Sequence, residues 1–298
     1  MPPGVTYPAV LSQQPPGRAV LGIVLALAGY TVVTAVVSSA VVGAGYLAQQ
    51  PGVPLGDYRA AAASYQNPVG FLAQSLSIAA VIGVCWALMR WLHGLPLGWL
   101  SSVRPGLRWR YLGWCLLAAA VVVYGIVAVT AVVGPQPLVW RPQPGLVAVL
   151  LVVVLVTPLQ SAAEEYLFRG YLLQTMGSFS TPWVGVILSS LLFAALHGSQ
   201  NLPLFVNRLA FGLLAATLVL ATGGLEAGIA AHIINNVGAY TLAGFTASIA
   251  ELRAVRSLGW SDALFDVAGF ALFAVVAVLL ARRLRLPVTT PAGPGELR

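Results

Sequence analysis

The sequence predicts an all-α, polytopic membrane protein with eight transmembrane helices around a polar intramembrane cavity, and three observations carry that prediction. Hydrophobic residues make up 59% of the chain and charged residues only 8%, whereas an ordinary soluble chain is roughly half apolar and about a quarter charged. The apolar residues gather in runs close to the ~20 residues that cross ~30 Å of hydrocarbon. A few ionisable residues sit inside those runs, where each costs about 2.5–3.5 kcal/mol on insertion scales and is a functional candidate for that reason.

In chain order, residues 1–18 are Pro-rich and read as a disordered tail. The first run, Ala19 to Leu47, is too long for a cleaved signal and reads as a retained anchor. Further spans are expected at Val69 to Leu92, Tyr111 to Val133, Leu146 to Leu173, Trp183 to His197, Leu204 to Ala221, Leu225 to Phe245 and Ala263 to Ala281. The membrane domain then covers residues 19–285, with its functional core near 146–245 and a tail at 286–298. Cys85 and Cys115 lie within apolar runs without metal or redox spacing and read as small buried hydrophobes. No internal repeat of the kind that builds many transporters is visible.

The net charge of +7 does not indicate a nucleic-acid partner, because the arginines stand at the ends of apolar runs. There they set orientation, since cytoplasmic loops collect positive charge. Arg90, Arg104, Arg108 and Arg110 share one loop, flanked by interfacial tryptophans such as Trp91 and Trp109, while Arg59 in the preceding loop is offset by Asp57. The dense loop is therefore expected inside. Both termini follow it, with Arg18 before the first span and Arg282, Arg283 and Arg285 after the last. All basic residues are arginine, a bias of GC-rich bacterial genomes, which points to a multi-pass protein of a bacterial cytoplasmic membrane.

Three apolar segments carry residues that hydrocarbon rejects. In the fourth run stand Glu164, Glu165 and Arg169; Glu165 and Arg169 share a helix face in the favourable i, i+4 order, and Glu164 points about 100° away without an obvious local partner. The fifth run ends in Phe193-x-x-x-His197, and the seventh contains His232-x-x-x-Asn236. A hairpin turning at Gly177 to Pro182 brings Glu164 and His197 to similar depth, and His232 lies ~12 Å into its span. All three clusters are thus expected in the cytoplasmic half of the bilayer. Gly224-x-x-x-Gly228 permits close helix approach there.

Peptide hydrolysis needs a nucleophile, a base and donors for the developing oxyanion. Glu164 reads as the base that activates water with help from His197; His232 and Asn236 carry N–H groups for the oxyanion; Glu165 and Arg169 support the helix; Phe193 reads as packing. His93 reads as interfacial, and Glu226 as an anion at a helix N-terminus.

Together, Glu164-Glu165-x-x-x-Arg169, Phe193-x-x-x-His197 and His232-x-x-x-Asn236 resemble, in order and in full, the three motifs of the CPBP family of intramembrane proteases, which includes the Ras-converting CAAX endopeptidase and bacterial Abi-type proteins. The resemblance covers roughly residues 157–240. It implies an eight-helix peptidase with a cavity open to the cytosol, a glutamate base at Glu164 with His197, and an oxyanion site at His232 and Asn236. The family is also widely labelled metallopeptidase, and Glu164, His197 and His232 form a plausible ligand set for a divalent metal such as zinc. Metal-free glutamate chemistry is the preferred alternative, because H-E-x-x-H is absent. The expected partners are the lipid bilayer and a membrane-associated peptide or protein, CAAX-like or bacteriocin-like and in some cases lipid-modified. Two other readings stay open: a proton-coupled transporter using Glu164 as a relay, and a non-catalytic immunity or binding protein of the same fold.

Overall fold

The computed structural model describes residues 1–12, 14–133, 139–178 and 181–291, and among these it is helical throughout, with isolated bridges but no strand. The long elements are α1 (Pro16–Gln49), the short α2 (Leu55–Ala63), α3 (Pro68–Leu92), α4 (Trp109–Val133), α5 (Leu146–Ser178), α6 (Pro182–Ala195), α7 (Leu202–Thr222), α8 (Glu226–Thr246), the short α9 (Ile249–Ala254) and α10 (Trp260–Arg283). Six of them, α1, α3, α4, α5, α7 and α10, are long and apolar enough to cross a membrane. The other two expected spans are helices in the expected places that fall short for different reasons. With 14 residues, α6 reaches only ~21 Å at 1.5 Å per residue. Helix α8 has 21 residues but holds His232, Asn235 and Asn236 among its apolar ones. Those two helices carry the histidines.

Local chemistry sets the boundaries. Asn67 caps α3 through Gly70 N (3.0 Å), Asn201 caps α7 through Leu204 N (3.2 Å), and each is followed within two residues by a proline suited to a first turn. Helix α7 stops at Gly223, whose φ of 70° lies in the left-handed region. In α5 the chain departs from regular helix at Val156, two residues before Pro158, which has no N–H to offer the ladder. The same helix widens into a π turn over Tyr166–Leu172, directly after the paired glutamates.

Loop hydrogen bonds define two faces. On the first, Gly4 N–H donates to Thr290 C=O, Val103 N–H to Gly223 C=O, and Leu225 N–H to Ser101 C=O. On the second, Arg141 N–H donates to Phe245 C=O, Asn201 N–H to Arg256 C=O, and Arg253 Nη2 to Tyr65 Oη. Both termini of the helical array therefore lie on the first face.

Two expectations need correction. The segment before residue 19 is ordered where described: Tyr7–Ala9 form a 3-10 turn, Tyr7, Val10 and Leu11 are buried, and Tyr7 Oη donates to the carbonyl of Leu100. Its few apolar side chains outweigh the prolines because Tyr7 and Leu11 pack into the main hydrophobic core. His93 is buried rather than interfacial, with Nε2 2.9 Å from Tyr171 Oη. Residues 179–180 of the turn between α5 and α6, and 292–298 of the tail, lie outside the described residues. Cys85 and Cys115 are buried free thiols.

Candidate active site

The π turn and the crossing of α8 over α5 bring the polar residues together. Glu165 Oε1 receives Arg169 Nη1 at 3.1 Å, with both side chains fully buried, as their spacing predicts. Gly228 lies against the same carboxylate: a Cβ there would meet Glu165 Oε2 at 2.9 Å. The absence of that side chain is what lets α8 approach α5, as the glycine spacing predicts. Arg169 leaves Nε and Nη2 without hydrogen-bond partners among the described residues. Its Cζ instead lies 4.1 Å from the centroid of the Phe193 ring. A buried cation over an aromatic face is favourable, so Phe193 supports the charge as well as filling space.

His232 stands between the two carboxylates. Its Nδ1 is 2.8 Å from Glu165 Oε1 and its Nε2 3.2 Å from Glu164 Oε2. An imidazole donates from both nitrogens only as imidazolium; otherwise one carboxyl holds the proton. Either way, two carboxylates, one guanidinium and one shared proton sum to zero charge, which makes the cluster tolerable in an apolar interior.

Glu164 does have a local partner, contrary to the reading from sequence. Gln160, one turn earlier, donates from Nε2 to Glu164 Oε1 at 2.9 Å. Gln160 Oε1 in turn accepts from Asn236 Nδ2 at 3.4 Å, and Ser161 Oγ accepts from the same amide at 3.2 Å. Gln160 and Ser161 each precede a glutamate by one helical turn, a spacing that was present in the sequence as Gln-Ser-x-x-Glu-Glu.

His197 lies just beyond the end of α6, where Nδ1 meets the Phe193 carbonyl at 2.7 Å. A carbonyl only accepts, so Nδ1 carries the hydrogen and, in the neutral ring, Nε2 presents a lone pair. The Phe193 ring separates the two imidazoles, with centroids 4.7 Å from His197 and 5.9 Å from His232. Glu164, His197, His232 and Asn236 all line one cavity of about 460 Å³. The wall also includes Arg208 and Arg253, two residues that the sequence reading did not single out.

Glu226, expected to be only an anion at a helix start, is fully buried and accepts a forked pair from Arg108, Nε to Oε1 at 2.9 Å and Nη2 to Oε2 at 2.6 Å. This pair ties the loop before α4 to the first turn of α8, the helix that carries His232.

The metal alternative does not fit this arrangement. Both ring nitrogens of His232 face carboxylates, and among the described residues no three His, Cys, Asp or Glu side chains are disposed to hold an ion.

A model of the family described as Type II CAAX prenyl endopeptidase Rce1-like matches residues 143–238, the stretch that contains every residue of the cluster. This stretch of the chain is similar to that CAAX protease family. The Rce1-like segment begins at the start of α5, so residues 1–142 lie outside it. Among curated relatives, the chain is 23% identical over 176 residues to the uncharacterized protein YyaK of Bacillus subtilis strain 168, covering 56% of this chain and 58% of that one. It is 28% identical over 174 residues to an uncharacterized 24.3 kDa protein of Escherichia coli, covering 55% of this chain and 76% of that one. No solved structure matches the chain.

Proposed function

We propose that the protein is an intramembrane endopeptidase that hydrolyses peptide bonds of membrane-associated substrates in a bundle of eight spans, with Glu164 as the base. The observation that carries this reading is the division of labour between neighbouring carboxylates: Glu165 is consumed by Arg169 and His232, while Glu164 lines the cavity. In this reading α6 and α8 complete the bundle, their polar residues facing the cavity, in a bacterial cytoplasmic membrane with both termini inside.

In the proposed reaction a water held between Glu164 and the Nε2 lone pair of His197 attacks the substrate carbonyl and gives its proton to the carboxylate. As Glu164 becomes neutral, negative charge moves to the carbonyl oxygen. The 3.2 Å contact from His232 Nε2 to Glu164 then loses its purpose, and the N–H turns to the oxyanion together with Asn236, whose own contacts are long. Protonated Glu164 next delivers the proton to the leaving amine. Gln160 holds Glu164 and Asn236 in register throughout.

Purified protein in liposomes, incubated with a library of membrane-anchored peptides and followed by mass spectrometry, tests the proposal. Cleavage is expected from the wild type and not from Glu164→Gln; equal cleavage by the two would contradict it.

A further inference from the structure

The side of the membrane from which the cavity is reached follows from two observations that are independent of the chemistry. The first is where its wall comes from. Tyr65 precedes α3, Arg253 and Arg256 flank the end of α9, and Arg208 lies in the second turn of α7. These segments belong to the second face, where Arg256 C=O receives Asn201 N–H and Arg253 reaches Tyr65. Towards the first face the site is closed by the core residues Leu100, Leu167, Leu172 and Leu225, each at most 1% exposed. The second is charge. The first face carries Arg90, Arg104 and Arg110 in or beside the connection between α3 and α4, and Arg282, Arg283 and Arg285 at the end of α10 and just after it, and its described acidic residue, Glu226, is already neutralised by Arg108. On the second face Arg141 pairs with Glu251 at 2.7 Å, and Asp57 and Asp262 offset other arginines. Positive charge in short loops marks the cytoplasmic side.

We infer that the cavity opens on the extracytoplasmic side, so that, on the peptidase reading above, its substrate is a juxtamembrane peptide segment exposed outside the cytoplasm. This departs from the cytosol-facing cavity that the family resemblance implies, although His232 itself stands six residues from the first-face end of α8.

Single-cysteine labelling in intact cells tests the inference without any turnover, so its failure is separate from failure of the peptidase reading. With Cys85 and Cys115 replaced by Ala, Ser257→Cys reports the second face, Pro105→Cys the first, and Asn207→Cys the cavity wall. A membrane-impermeant thiol reagent is expected to label Ser257→Cys and, with a small charged methanethiosulfonate, Asn207→Cys in intact cells, and Pro105→Cys only after permeabilisation. Thermal melting of each purified variant confirms the fold. The reverse pattern overturns the inference, as does an Asn207→Cys thiol that reacts only from the cytoplasm.

Discussion

Glu164 and Glu165 are adjacent in the chain but differ in surroundings, 13% against 0% side-chain exposure. Their substitutions should therefore differ in effect. Glu164→Gln keeps volume and the Gln160 contact, so cleavage should fall by about 10²–10⁴, the usual contribution of a general base, with the melting temperature unchanged. Asn236→Ala should lower kcat by about 10²–10³ if it removes an oxyanion donor, read from initial rates at saturating peptide. Arg169→Ala leaves Glu165 buried without its cation and should cost about 3–5 kcal/mol, visible as a lower melting temperature in detergent. Outside the spans, burial and, secondarily, Arg18 push the His93 imidazole down to about 4 from 6.5. Its folded state thus resists protonation that the unfolded chain accepts. Stability from this group is complete above the unfolded value and declines as pH falls from about 6.5 to about 4. A melting series over that range should show a slope that His93→Gln reduces.

At the scale of elements, the contact between α5 and α8 is the critical packing. Gly228→Val places methyl groups against the Glu165 carboxylate and should separate His232 from both glutamates. An overpacking cost of about 1–3 kcal/mol is expected, together with loss of cleavage, so activity and melting temperature should fall together here and not in Glu164→Gln. The i, i+4 spacings of Glu165 with Arg169 and of Gly224 with Gly228 made these local relations legible in the sequence, because a regular helix converts spacing into direction. What stayed hidden was everything that depends on tertiary approach. His232 bridging two carboxylates, Arg169 lying over Phe193 and Arg108 forking onto Glu226 join residues from separate helices or loops, which periodicity cannot address. Gln160 is legible by the same i, i+4 rule, but an amide costs less in a span than a charge and so marks a site less sharply. The buried tail at Tyr7 was obscured by the prolines and glycine around it.

For the molecule as a whole, the two faces differ in charge and in what they cover. Large apolar side chains stand exposed along the helices, among them Val24, Val36, Leu117, Val121, Leu151 and Val275, as expected of surfaces against lipid. Tryptophans mark both ends of that belt, Trp91, Trp109 and Trp183 towards the first face and Trp140 and Trp260 towards the second. Such a chain should remain in the membrane pellet after alkaline carbonate extraction; release into the supernatant would contradict the belt. Inside the belt, a neutralised cluster of two glutamates, a histidine and an arginine borders a cavity large enough for a short stretch of peptide, with walls drawn from most of the helices. The central claim is that this cavity cuts peptide bonds in the cell. Its most direct test compares the N- and C-terminal peptides of the membrane proteome in cells carrying the wild type and in cells carrying Glu164→Gln at equal abundance. The account predicts a small set of new termini present only with the wild-type protein; identical termini in the two strains would contradict it.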